Sequence, residues 1–489
     1  MVFIEYINNK ITSSAYKGEP VILAIEKIAK NHPDQSLLIY RKGVDAVSFQ
    51  KAASSMLKPH IIVSSCTLLH EDLGYVEDSP FIAVSSSNKY PTWIKSAEIV
   101  TLHASLVNQI AGQLSYKTSL LYWINSLSKL ARPLGILSCQ LPFITPQEDK
   151  FDTVLLYRFV KQHYKSIWAV LLLLCHIWYE KRFPLYAFAK AQFYKKRVLK
   201  LDVNELQKTL DTATVKNLNY DVVIPTMGRP KYLYDVLTDL AKQTVLPNRL
   251  VIIEQNADLN VATELSYLVE EDWPFQITHE FIHQTGACNA RNLALSKTTA
   301  LWVLLFDDDV RVTENFSSQV TKFLDDSKAR CVTFACLQKG EQERLHTFKQ
   351  WESFGSGCSI VHREIVERCK FDMALEHGYG EDVDYGMQIR QAGYDVIYAP
   401  QIQLLHLKAP VGGFRKPYLF PWQEDEVQPK PSPQIMYYRK KNYTHKQLLG
   451  YKMVQFFKTY GVFGTILPWK HYKKYQEAWN QSEKWASQL

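Results

Sequence analysis

No CxxC pair and no regular cysteine spacing occurs in this 489-residue chain, although it holds eight cysteines, at positions 66, 139, 175, 288, 331, 336, 358 and 369. That scatter excludes a zinc ribbon and a disulfide framework, and it fits reduced, mostly buried thiols of a cytoplasmic protein. Also missing is any uninterrupted apolar run long enough to form a membrane channel. The best candidate, residues 167–179, ends after thirteen residues, contains His176 and lies between Lys165 and Glu180. A buried or interfacial helix is expected there, not a span. No signal peptide is read at the start, because the opening residues run directly into Asn8, Asn9 and Lys10. Repeats and low-complexity tracts are lacking, and no RNP, KH or helix-turn-helix signature points to nucleic acid.

What is present is a composition of 46% hydrophobic and 22% charged residues, which suits a globular protein of two or three domains. The apolar run Leu301 to Phe306 ends in three consecutive acids, Asp307, Asp308 and Asp309. Like charges so close repel, and they persist most readily with a cation among them; a solvated acidic turn is the plainer reading. Around this strand the chain from 217 to 410 alternates strand and helix patterns. A strand at 220–224 closes with Pro225 and Thr226, and Gly228, Arg229 and Pro230 follow. The next helix carries Leu233, Val236, Leu237 and Leu240 on one face. A second strand, 250–253, ends at Glu254, Gln255 and Asn256, and a third segment, 277–283, leads to a helix before the aspartates. The order implies a mostly parallel sheet with a crevice along the strands' carboxyl ends.

Five motifs in order, VVIPTMGRPKYL, GACNARNLAL, LFDDDV, YGEDVDYGMQIRQAG and LLHL, make this region resemble a family 2 glycosyltransferase with the GT-A fold. The resemblance implies a nucleotide-sugar donor, a UDP-sugar first, and a hydroxyl acceptor on a glycan or lipid-linked carrier. It implies that Pro225, Thr226, Arg229, Glu254, Arg291, Asn292, Asp307 and Asp308 hold the donor, and that Asp309, Asp307 and His406 bind the metal. Asp382 becomes the expected general base, with Glu381 beside it, and Gly355, Ser356 and Gly357 the acceptor side. A divalent cation helps a nucleoside diphosphate leave, and carboxylates suit Mg²⁺ or Mn²⁺, an imidazole ligand favouring Mn²⁺. Attack opposite the leaving group inverts the anomeric centre. Each residue also has a blander reading. Glu381 and Asp382 serve any helix start, His406 alone reads as a core histidine, Arg291 as a surface arginine, and Gly355 and Gly357 as a turn. Two departures matter. Relatives end the second strand with aspartates where this chain has Glu254-Gln255-Asn256, and the QxxRW element of processive polysaccharide synthases is absent, since no Trp follows an Arg. Single-sugar or short-chain transfer in polysaccharide biosynthesis is therefore expected.

The expected organisation is an α/β accessory domain at 1–150, a helical basic-aromatic connector at 151–215, the catalytic domain at 216–411 and a basic-aromatic, mainly helical region at 412–489. In the first, helices near 20–30 and 48–57 alternate with strands at 36–40 and 60–65, and 80–85 adds another strand; the domain binds acceptor or partner, or is purely structural. The connector interleaves Lys181, Arg182, Lys190, Lys195, Lys196, Arg197 and Lys200 with aromatics. Between 430 and 475 the chain has ten Lys or Arg, eleven aromatics and no acid. Such mixtures suit an anionic membrane surface or a lipid-linked acceptor at the cytoplasmic face; a solvated tail and single-strand binding are the other readings. The segment from Gly412 and Gly413 through Arg415 is expected to close over the donor. Two other functions stay open: a turnover-free scaffold or membrane-binding subunit that keeps the nucleotide-sugar fold, and a sugar nucleotidyltransferase, for which no glycine-rich signature appears near the N-terminus.

Overall fold

The computed structural model describes residues 1–12, 15–85, 87–145, 150–208, 218–410, 418–460 and 467–489, so Gly412, Gly413 and Arg415 lie outside the described residues. No described helix is long and apolar enough to cross a membrane. The chain divides into two units, one of Met1–Thr209 with Arg439–Asn480, the other of Leu210–Tyr438 with Gln481–Leu489.

The first unit is built on seven strands, β1 (Val2–Ile7), β2 (Lys10–Ile11), β3 (Ser36–Arg41), β4 (Ile61–Ser65), β5 (Tyr90–Pro91), β6 (Ile99–His103) and β7 (Leu137–Leu141), in the order β2-β1-β3-β6-β4-β7-β5. The helices Val21–Asn31 and Ala46–Ala53 lie where the sequence places them. Residues 80–85 do not form the expected strand. Pro80 has no N–H to give a ladder, and the Ser79 hydroxyl accepts from the Phe81 N–H at 3.4 Å, so the chain turns into the 3₁₀ helix Pro80–Ile82. Helix Ile167–Glu180 buries Ala169, Leu172 and Cys175 in the core that also holds Ile25, Ile39, Trp93 and Trp123, and Met453 joins the same core from helix His445–Lys458. The apolar run of the connector is thus the buried alternative along one side, while Ile167 and Trp178 stay exposed.

The second unit carries nine strands: β8 (Tyr220–Thr226), β9 (Arg249–Gln255), β10 (Gln276–Ile282), β11 (Trp302–Phe306), β12 (Val310–Arg311), β13 (Cys331–Leu337), β14 (Lys349–Gln350), β15 (Cys358–His362) and β16 (Ile397–His406). The order is β10-β9-β8-β11-β15-β13-β16-β12, with β14 on β16. The four strands read from sequence are parallel to one another, as expected. Beyond β11 the sheet is mixed: β15 runs antiparallel between β11 and β13, while β13 and β16 pair in parallel. Because β15 alone reverses among these, its first residues meet the last residues of β11, and Phe306 pairs with Cys358. The carboxyl ends of β8, β9, β11, β13 and β16 and the turn before β15 therefore share one edge, where open α/β sheets hold ligands. Under that edge Val223, Val251, Ile253, Val303, Leu305 and Val361 form a dry core with less than one or two per cent exposure.

Candidate functional site

A cleft of about 540 Å³ opens at this edge. Pro225, Thr226 and Arg229 reach it from the end of β8, Arg291 from helix Ala287–Ser296, the three aspartates from the end of β11, Gly355, Ser356 and Gly357 from the turn before β15, Glu381 and Asp382 from helix Glu381–Gln391, and His406 from the end of β16. The aspartates have separate surroundings. Asp308 accepts from the Thr226 hydroxyl at 2.7 Å and from Arg229 Nη1 at 2.7 Å. Burial nonetheless pushes its carboxyl up to about 6, against the pull of Arg229 and Thr226. Asp307 receives Arg291 Nη2 at 3.1 Å, and its own N–H donates to the Gly357 carbonyl at 3.2 Å. Asp309 lies 3.3 Å from His406 Nε2, and its Oδ2 accepts the Ala409 N–H at 2.9 Å. Burial alone would raise Asp309, but the hydrogen bonds from His406 and Ala409 win and hold it below the usual range. His406 is raised in turn, first by its bond to Asp309, with burial opposing.

One ligand atom each from Asp307, Asp309 and His406 falls within 4.8 Å of the others, a spacing that would admit one cation between two carboxylates and an imidazole. Gly357 leaves the room this needs, since a Cβ there would stand 2.0 Å from Asp307 Oδ2. Arg291 is buried, with Nε and Nη1 lacking any hydrogen-bond partner among the described residues, so it holds unspent donors beside the cleft. Burial works against its charge, and Asp307, Asp382 and Glu381 together outweigh that and raise it.

Glu381 and Asp382 open their helix after Gly380, whose φ of 123° is a conformation that favours glycine. Burial raises the Asp382 carboxyl, Arg291 and Ser356 oppose, and Asp307 adds to the rise. Asp382 Oδ1 is shut from solvent and has no hydrogen-bond partner among the described residues. Glu381 is pushed up to about 7 by burial first and by the charge of Asp382 second. A carboxyl raised on folding stabilises the fold fully below its unfolded value near 4.5, and that contribution is lost as pH rises through about 7. Glu381→Gln is therefore expected to raise thermal stability at about pH 8, by up to about 3 kcal/mol, and hardly at all at about pH 4.5. Equal gains at both pH values in thermal melts would show that the carboxyl does not ionise in a buried state.

Two expected donor residues stand elsewhere. Glu254 does not line the cleft: its carboxylate accepts from Thr263, from the Glu264 N–H at 3.1 Å and lies 2.9 Å from His279 Nε2. Successive strand residues face opposite sides, so its neighbour Gln255 takes the cleft position, with Oε1 accepting the Gly286 N–H at 2.6 Å. Asn292 instead clamps the backbone of Phe371, donating to its carbonyl at 2.7 Å and accepting its N–H at 2.9 Å. Missed by sequence reasoning is Glu376, which accepts from Cys288 N–H at 2.9 Å and Asn289 N–H at 2.8 Å and so caps the helix that carries Arg291. No motif marks it. Cys336, Cys358 and Lys408 also line the cleft.

Residues 221–370 match the family described as Glycosyl transferase family 2, and a domain of that family is what this stretch forms. No curated protein matches the chain by sequence. Among solved structures, Staphylococcus aureus TarS 1-349 in complex with UDP-GlcNAc is similar at 15% identity and TM-score 0.38, over 54% of this chain and 79% of that one. TarS 1-349 alone is similar at 15% identity and TM-score 0.33, and there this chain spans 60% of the relative's length. A mannosyltransferase, PcManGT, from Pyrobaculum calidifontis in complex with GDP-Man and Mn²⁺, is similar at 16% identity and TM-score 0.32, over 42% and 63%.

Proposed function

We propose, from the family 2 domain at residues 221–370, that this chain is a metal-dependent, inverting, hexosyltransferase-like enzyme. It moves one sugar from a nucleotide sugar, a UDP-sugar first, to a hydroxyl of a glycan or lipid-linked acceptor. The observation that carries the reading is the convergence of Asp307, Asp309 and His406 within 4.8 Å in the cleft that Asp382 also lines. A bound Mn²⁺ or Mg²⁺ would supply charge neutralisation for the departing diphosphate. Arg291, whose free donors adjoin the cleft, supplies further positive charge there, and Arg229 holds Asp308. Thr226, Pro225 and Gln255 offer a floor for the nucleoside. Asp382 takes the proton of the acceptor hydroxyl as its oxygen bonds to the anomeric carbon, and the bond from that carbon to the diphosphate oxygen breaks. A raised carboxyl is the stronger base for this step. Gly355, Ser356 and Gly357 border the cleft with no bulky side chain, leaving the acceptor close access to the backbone.

The unit of Met1–Thr209 with Arg439–Asn480 is read as the accessory part, serving acceptor or partner at the cytoplasmic membrane face. No disulfide joins any of the eight cysteines, which suits a reducing compartment. The test is a thermal-shift and hydrolysis screen of the full chain against nucleotide sugars with Mn²⁺, Mg²⁺ or EDTA. Metal-dependent stabilisation by one donor, with slow release of its nucleoside diphosphate, is expected. Silence toward every donor and metal would move the chain to a scaffold.

A further inference from the structure

The described residues of two basic-aromatic stretches, 181–200 and 430–475, supply nothing to the cleft of the transferase domain. Within the first unit, three helices, Ile167–Glu180, His445–Lys458 and Pro468–Ala486, line a half-open cavity of about 550 Å³ through residues up to Gln476. That volume lies within the roughly 300–1,000 Å³ of small-molecule sites. Its wall is hydrocarbon and ring, from Leu174, Ile177, Met453 and Phe456. Four further lining residues, Trp178, Phe457, Trp469 and Tyr472, are exposed, Trp469 by 66%. Trp178 meets Tyr472 edge to face at 5.6 Å, so two of the helices are joined by aromatics that water also reaches. The cation on the wall, Lys452, lies 4.8 Å over the Trp479 ring.

Lysines outnumber acids on these helices, whose acids are Glu180, Glu477 and Glu483. Lys458, Lys470 and Lys473 are exposed on the two later helices, and no acid occurs from 430 to 475. Exposed apolar residues continue beyond the first helix at Phe183, Tyr186 and Phe193, the last 88% exposed. Exposed rings around an apolar cavity, with lysines beside them and no described helix long and apolar enough to cross a bilayer, fit an occupant with an apolar tail and a negative head. We propose that the cavity takes an acyl chain of an anionic phospholipid while the lysines meet neighbouring headgroups, so that this unit sits on a negatively charged bilayer as a peripheral protein. The proposal goes beyond the transferase reading and does not depend on it, because its readout is binding without any donor.

The test is co-sedimentation of the full chain with phosphatidylcholine vesicles, with and without phosphatidylglycerol. Binding to the anionic vesicles is expected, weakening as salt rises. Lys458→Ala/Lys470→Ala/Lys473→Ala should lower partition by roughly a hundredfold, at the usual worth of a cation near such a surface. Acyl chains brominated along their length should quench tryptophan fluorescence, and Trp178→Phe/Trp469→Phe should remove most of that quenching, because the other nine tryptophans are buried or half-buried. Both variants sit on exposed positions, and an unchanged melting temperature with donor-free protein confirms folding. Equal partition onto neutral vesicles, no partition at all, or binding without bromine quenching would each overturn the proposal. So would an oligonucleotide that displaces the protein from vesicles while losing its own binding in the same variants.

Discussion

Asp382→Asn should stop transfer, lowering kcat by about 10²–10⁴ while leaving metal-dependent donor binding near the wild-type value. The amide is the same size as the carboxylate, and Oδ1 has no hydrogen-bond partner to lose among the described residues. Arg291 keeps its bond to Asp307, and the cluster of Asp307, Asp309 and His406 does not use Asp382. What disappears is the ability to take a proton. The split between kcat and donor affinity is the measurement, since a merely structural role would damage both. Transfer at a near wild-type rate would remove the base assignment. The wild-type pH profile adds an independent reading. Burial raises the Asp382 carboxyl above its ordinary range, with Arg291 and Ser356 opposing. The rate should therefore begin to fall on the acid side at a higher pH than an ordinary carboxylate base would give, because the base is active only when ionised.

The second unit was legible because its central strands are buried on both faces. Val222 to Ile224, Leu250 to Ile253 and Val303 to Phe306 read as apolar runs, each ending in polar residues at one edge. What the runs could not convey is β15, a reversed strand inserted beside β11, because direction leaves no trace in composition. Its consequence is that Gly357 abuts Asp307, a contact across fifty residues. The Glu254 and Gln255 positions were blurred for a related reason: a strand end gives parity, but its last residue decides which side faces the ligand. In the first unit, legibility was poorer because its core draws on segments far apart. Met453 shares one core with Ile25 and Leu172, and a reading by continuous stretches assigns those to three separate regions. Asp72 makes the same point, accepting from His176 at 3.0 Å and lying 3.2 Å from Lys446, partners over a hundred and over three hundred residues away.

Asp309→Ala should act on the other half of the chemistry. It is expected to weaken metal-dependent donor binding by at least about 100-fold, since even side chains one step removed from an ion are worth ~10–100-fold. Stabilisation by donor plus Mn²⁺ in a thermal melt should vanish, and EDTA should no longer change the melt of the donor-treated variant. The geometry separates this from its neighbour. Asp308 is already committed to Thr226 and Arg229, at 2.7 Å each, and stands outside the cluster of potential ligands. Asp308→Asn should therefore disturb Arg229 and the end of β8 more than metal response. Losing Asp309 also releases His406, whose raised value depends first on the bond between them, so the imidazole should titrate lower in the variant by NMR. A donor affinity that stays metal-dependent in Asp309→Ala would mean the cation is held elsewhere. A loss confined to Asp309 and His406 variants, with Asp382→Asn still binding donor, would assign binding and proton removal to two separable groups at the same sheet edge.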